Sequence, residues 1–261
     1  MLWSRQYCRR NQSTRRCKSL SSCFWNSSHD YDKDNRLSSY NGKKVIYDQD
    51  GNLTYGLLKG KWVEFEYDAR NRLIRAGDTT YEYDGENNRI AVTEAGKRTA
   101  YVVDSNYELP RTIAQIEEDE PVTWYIYGKG LIAQEQEDYY LIYHFDSRGS
   151  TTALTNSKGE VTDRFSYTAY GELVEHQGKN DVIFKYNGRS GVITDSNGLY
   201  YMCTRYYNPD IKRFMNVDVI VGNVLDGRSL NRHAYVNDNP ISYGPFVWSL
   251  GKEAEGTGYS W

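Results

Sequence analysis

The sequence predicts an all-β fold, an antiparallel β-hairpin strip with an irregular C-terminal plug, and three observations carry that prediction. Large apolar or aromatic residues alternate with polar ones in "VEFEY", "TYEY" and "TAYVVD", the period-2 pattern of half-buried strands. A Tyr-Asp phrase recurs at Tyr31-Asp32, Tyr47-Asp48, Tyr67-Asp68 and Tyr83-Asp84, with starts separated by 16, 20 and 16 residues. The chain also carries 25 Tyr against 7 Phe in 261 residues. Tyr joins a broad apolar face to a polar tip, which suits strands that are only partly dry.

Residues 1–28 stand apart from this pattern. "MLWSRQYCRRNQSTRRCKSLSSCFWNSS" is basic, has no acid and no alternation, and lacks the apolar stretch of a secretory signal. It reads as a poorly ordered leader, foreign to the fold that follows. Residues 29–98 hold the repeats. In "YDKDNRL", "YDQDGNL", "YDARNRL" and "YDGENNRI" the Tyr ends an alternating strand, and the Asp and the Asn, Gly or Asp residues after it make a turn. An Asp or Asn side chain accepts hydrogen bonds from nearby backbone N–H groups, and Asn or Gly tolerates positive φ. The Arg-Leu or Arg-Ile pair then opens the return strand, Leu inward and Arg outward. One such unit cannot bury its own apolar face, whereas stacked hairpins can.

Residues 99–243 continue as strands in which the Tyr-Asp phrase lapses, and helical periodicity is nearly absent. The stretch 208–235 reads as loops and one short helical turn. Residues 244–261, "GPFVWSLGKEAEGTGYSW", match neither pattern and are too short for a further folded domain.

Composition excludes several functions. A formal net charge of −3 offers no global basic excess for nucleic acid. Mean hydropathy is −0.78, and no apolar run approaches the roughly 18 residues that span a bilayer. Cys8, Cys17, Cys23 and Cys203 lack the paired spacing and nearby His of a zinc site, so neither metal nor cofactor is expected. "YGKG" and "NGRSG" miss the phosphate-cradle spacing and read as turns.

The four Tyr-Asp units resemble the YD repeats of the Rhs family. Three later blocks resemble its repeat-associated core: "YHFDSRGSTTALTNSKGEVTDRFSYTAYGEL", "FKYNGRSGVITDSNGLYYMCTRYYNPDIKRFMNVD" and "LNRHAYVNDNPISY". Together they cover residues 30–243. The resemblance implies a strip wound into a hollow, β-solenoid-like shell, as in Rhs toxins, toxin-complex C components and the teneurin YD shell. It implies a partner too, the remaining shell or a C-terminal toxin segment kept inactive inside it. Family members are secreted or cell-surface-associated; the location of this chain stays open.

Many members free their cargo by aspartyl self-cleavage, using two Asp-Pro-x-Gly-like blocks. The first of those acids falls on Asp218 in "RFMNVDVIVG", with Val219 in place of Pro. The second block should follow "NPISY", where the chain reads Gly244-Pro245. Two close carboxylates let one stay protonated while the other acts as base. A lone Asp218 cannot, and Asp226 and Asp238 match neither block. The expectation is therefore a shell fragment of a bacterial polymorphic toxin, without its toxin and without self-cleavage. Two alternatives stand beside it: a residual aspartyl autoprotease, and a carbohydrate- or cell-surface-binding module using exposed aromatics such as Trp124. His144 beside Asp146 lacks an accompanying nucleophile motif and reads as structural, as do the dispersed His29, His176 and His233. Unpaired strand edges predict self-association.

Overall fold

The computed structural model describes residues 28–33, 35–107, 109–137, 139–218, 231–236 and 240. Among them the regular secondary structure is nearly all strand, paired antiparallel with sequence neighbours in three open sheets. The first sheet holds β1 (His29–Tyr31), β2 (Leu37–Tyr40) and β3 (Lys43–Lys44). The second is a 14-stranded sheet in sequence order. It begins with β4 (Ile46–Tyr47), β5 (Leu53–Leu58), β6 (Lys61–Tyr67), β7 (Leu73–Ala76) and β8 (Thr79–Tyr83). It continues through β9 (Arg89–Glu94), β10 (Lys97–Asp104), β11 (Arg111–Glu117), β12 (Thr123–Tyr127) and β13 (Leu131–Gln136). It ends with β14 (Tyr139–Phe145), β15 (Thr151–Asn156), β16 (Val161–Tyr167) and β17 (Leu173–Gln177). A 3-10 turn (Gly188–Ser190) leads to the third sheet: β18 (Ile193–Thr194), β19 (Tyr200–Met202), β20 (Arg205–Asn208) and β21 (Arg213–Phe214). The plug thus has its own small sheet. No described helix is long and apolar enough to cross a membrane.

The turn chemistry read from the sequence is more general than the Tyr-Asp phrase. Eight turns, headed by Asp32, Asp48, Asp68, Asp84, Asp146, Asn156, Thr168 and Asp195, share two backbone bonds. The fourth residue donates to the carbonyl of the first, and the first donates to the carbonyl of the fifth. The fourth residue is always Asn or Gly, with φ between 58° and 89°. This is a type I turn closed by a left-handed residue, and a register shift marks the bulge before it in seven hairpins. The repeat geometry therefore persists to residue 198 although the Tyr does not. At other hairpins, Asn41-Gly42, Lys59-Gly60 and Ala95-Gly96 carry two positive φ values each, the signature of a tight two-residue connection.

Leu53, Leu73, Tyr101, Tyr125, Leu141 and Leu154 project from one face of the long sheet into the main core. Phe184, Ile193, Leu199, Tyr206 and Met215 of the plug belong to the same core. A second cluster joins Tyr186, Tyr200, Tyr207, Phe214 and Tyr235. A buried Tyr hydroxyl is costly without a partner, and three of these find one on backbone carbonyls. Tyr186, Tyr200 and Tyr207 donate to the carbonyls of Ala169, Gly171 and Tyr170 at 2.8, 2.5 and 2.8 Å, which seats the plug on the turn after β16. A Cβ at Gly171 would lie 2.8 Å from the Tyr186 ring.

Candidate functional site

The Asp residues of the Tyr-Asp units organise their own turns. Asp68 is representative: Oδ1 accepts from the Arg70 and Arg72 N–H groups at 2.9 and 3.0 Å, and Oδ2 from Arg72 Nε at 2.7 Å. Burial alone would raise this carboxyl, but the bonds from Arg72 and Arg70 hold it below its usual value. Asp32, Asp48 and Asp84 accept in the same way from Arg36, Asn52 and Asn88, at 2.9, 2.8 and 2.8 Å. The Tyr partners are used unequally. Tyr31 is exposed beneath the Arg213 guanidinium, and Tyr47 packs edge-on to His233 with burial pushing its hydroxyl up to about 12. Tyr67 is partly buried with its hydroxyl enclosed, and Tyr83 donates to the Leu73 carbonyl at 2.7 Å.

Asp218 lies in a cleft of about 830 Å³ also lined by Arg36, Arg70, Arg72, Arg205 and His233. Its Oδ2 sits 2.6 Å from Arg205 Nη2, and both side chains are mostly buried. Arg205 in turn lies 3.7 Å over the Phe214 ring, and Arg232 Nε donates to the Asp218 carbonyl at 2.9 Å. A guanidinium facing a carboxylate anchors it, and Asp50 lines the same cleft. Asp226, Asp238 and Gly244 lie outside the described residues, as do Cys8, Cys17 and Cys23.

The remaining sequence candidates fall into structural positions. His144 Nε2 is 2.9 Å from Thr155 Oγ1, while Asp146 caps its own turn through the Arg148 and Ser150 N–H groups. His176 meets Asp163, and His29 packs edge-on to Tyr40. His233 is buried, which lowers its imidazole to about 4. Cys203 occupies the β19–β20 turn, where burial pushes the thiol up to about 12. Trp124 is 52% exposed, and its neighbour Tyr125 enters the core from the other side of β12. Among the described residues no group of three His, Cys, Asp or Glu is placed to hold a metal.

The expectation that Arg faces outward fails in the fourth unit. Counted from the Asp, the fifth following residue is Leu37, Leu53 and Leu73 in three units, all buried, but Arg89 in the fourth. A one-residue offset in a strand reverses the side-chain face, so Arg89 points in, while Asn88 takes the place of Arg36 and Arg72 beside the turn-head Asp. Arg89 Nη1 lies 2.8 Å from both oxygens of Asp195, and both side chains are essentially inaccessible. The guanidinium centre is 4.5–5.8 Å from the rings of Tyr201, Tyr101, Tyr81 and Tyr206. Burial opposes its charge, and Asp195 with the surrounding Tyr groups more than offsets this, so Arg89 stays cationic. Counting from each Asp exposes Arg89, and "DSNG" exposes Asp195 as another turn head; nothing local pairs them.

Sequence and structure comparisons agree with this architecture. The chain is 29% identical over 231 residues to the tRNA3(Ser)-specific nuclease WapA of Bacillus spizizenii, covering 82% of this chain and 10% of that protein. It is 29% identical over 233 residues to the tRNA nuclease WapA of Bacillus subtilis, with the same 82% and 10% coverage. It thus spans about a tenth of the length of these relatives. The crystal structure of TcdB2-TccC3 superposes with a TM-score of 0.59 at 20% identity, covering 77% of this chain and 11% of that one, a likeness of fold. The Teneurin YD-shell model matches residues 18–241, and the chain belongs to that family.

Proposed function

We propose that this chain is a wall-and-plug segment of the shell of an Rhs-type bacterial toxin, and that its role is structural. The observation that carries this reading is the return of residues 181–218 across one face of the strip, burying one core between them. Phe184 meets Tyr125 edge-on at 4.8 Å, Tyr206 meets Tyr81 at 4.9 Å, and Asn208 Nδ2 donates to the Leu57 carbonyl at 2.7 Å. These contacts join residues 59 to 151 positions apart, which makes the strip a support for the plug. The partners that suit the open strand edges are further hairpins of the same kind. Secretion or display at the cell surface fits the role.

In this reading Asp218 is an anchor for Arg205 and cuts no bond. Intact-mass measurement of freshly purified protein, repeated over a day, tests it. The full mass should persist in the native chain and in Asp218→Asn alike. A fragment ending near residues 243–248 that disappears in Asp218→Asn would establish an autoprotease instead. Incubation with transfer RNA should leave the RNA intact, and turnover would overturn the structural assignment.

A further inference from the structure

Seven of the eight turn heads use their side chains alike. Asp32, Asp48, Asp68, Asp84, Asp146, Asn156 and Thr168 each accept from the N–H four residues on. Asp195 does not. Asn197 Oδ1 accepts the Leu199 N–H at 3.1 Å in its place, and both Asp195 oxygens turn to Arg89. Arg89 is itself the exception among the four Tyr-Asp units, standing where the others bury Leu. Each departure alone would bury an unpaired charge. The two departures meet.

We propose that Arg89 and Asp195 form a docking address: the arginine of the fourth hairpin selects the 193–208 segment of this chain as its partner and sets where along the strip it seats. The proposal rests on the wall-and-plug reading above. Leu37, Leu53 and Leu73 offer the plug chemically equivalent apolar positions, so burial of area discriminates poorly among repeats. Asp195 opposite any Leu would be a buried carboxylate without a partner, which penalises each wrong register. The tyrosine cage adds selectivity because it is shared. Tyr81 and Tyr101 come from the wall, Tyr201 and Tyr206 from the plug, and the four rings surround the cation only when the plug is seated. The backbone joins in, as Arg89 N–H donates to the Tyr201 hydroxyl at 3.2 Å.

Hydrogen exchange on the full chain tests the address, read at the β18–β20 amides of the plug and the β13–β16 amides of the wall. Arg89→Leu should speed plug exchange about a hundredfold or more while wall amides stay within about threefold of native. The double variant Arg89→Leu with Asp195→Leu removes both buried charges and keeps the readout should the single variant fail to fold. Its plug should still exchange at least about tenfold faster than native, because apolar contact without the pair no longer selects one register. Plug protection in the double variant equal to native would overturn the proposal, as would unchanged exchange in Arg89→Leu. Equal acceleration of wall and plug in Arg89→Leu would overturn it also, by showing a general stability effect. Absence of wall protection in the native chain would instead remove the wall-and-plug reading itself.

Discussion

Asp163 of β16 and His176 of β17 are joined at 2.9 Å by a carboxylate that also holds the exit of the strip. The same Asp163 side chain accepts from the Asn180 N–H at 3.1 Å and from its side-chain amide, just where the chain leaves β17 for the plug. The Phe165 ring stacks on His176 at 4.3 Å, and a Cβ at Gly178 would collide with the carboxylate. One buried acid therefore organises the crossover.

Asp163→Ala should cost about 2–4 kcal/mol in urea denaturation, since it orphans several donors at once. Burial alone would raise this carboxyl, but the bonds from His176, Thr162 and Asn180 outweigh it and set it below its usual value. A depressed folded-state pKa gives stability that is present above the ordinary Asp value and lost as pH falls through the folded one. The acid limb of the stability profile below about pH 4 should therefore flatten in Asp163→Asn.

His233 sets a separate, milder acid limb. Its Nδ1 lies 3.3 Å from the Phe214 carbonyl, and burial holds the imidazole at about 4 instead of 6.5. The unfolded chain takes up the proton first, so stability is full above about pH 6.5 and declines towards pH 4, by about 3 kcal/mol. Denaturation midpoints across that window should show this slope, and His233→Gln should lose most of it.

The turn chemistry is testable where nothing else intrudes. Gly159 has φ of 79°, and a Cβ there would meet no atom within 4 Å, so substitution reads backbone strain alone. Gly159→Ala should cost about 1 kcal/mol, and Gly159→Asn less than half of that. Thermal melts of the two variants against the native chain would show the difference.

The edge of the long sheet should mediate self-association. β17 is exposed along its whole length, with Val174 65% exposed, and among the described residues it is an end strand of the long sheet. Val174→Lys places a charge on that edge and should shift sedimentation towards monomer without changing the melting temperature. Unchanged association would assign the contact elsewhere, such as the β4 end.

The antiparallel hairpins were legible because their instructions are local. A turn acceptor, two loose residues and an Asn or Gly lie within five positions, and their hydrogen bonds require no distant partner. Reading the phrase as Tyr-Asp obscured its recurrence at Asp146, Asn156, Thr168 and Asp195, where the backbone needs the acceptor and the left-handed residue but not the Tyr. Aligning Arg89-Ile90 with Arg72-Leu73 likewise slid the fourth unit by one residue, and in a strand that reverses the face.

The chain by itself thus determined an all-β strip with turns at defined positions, since alternation and turn acceptors act over a few residues. Only the tertiary structure decided that Arg89 is buried, that Asp218 faces Arg205, and that the plug returns to the fourth hairpin. Arg89 and Asp195 are 106 residues apart, and each alone looks like an ordinary strand cation and an ordinary turn acid. Their burial is favourable only as a pair, so its energetics exist only once the two segments have met.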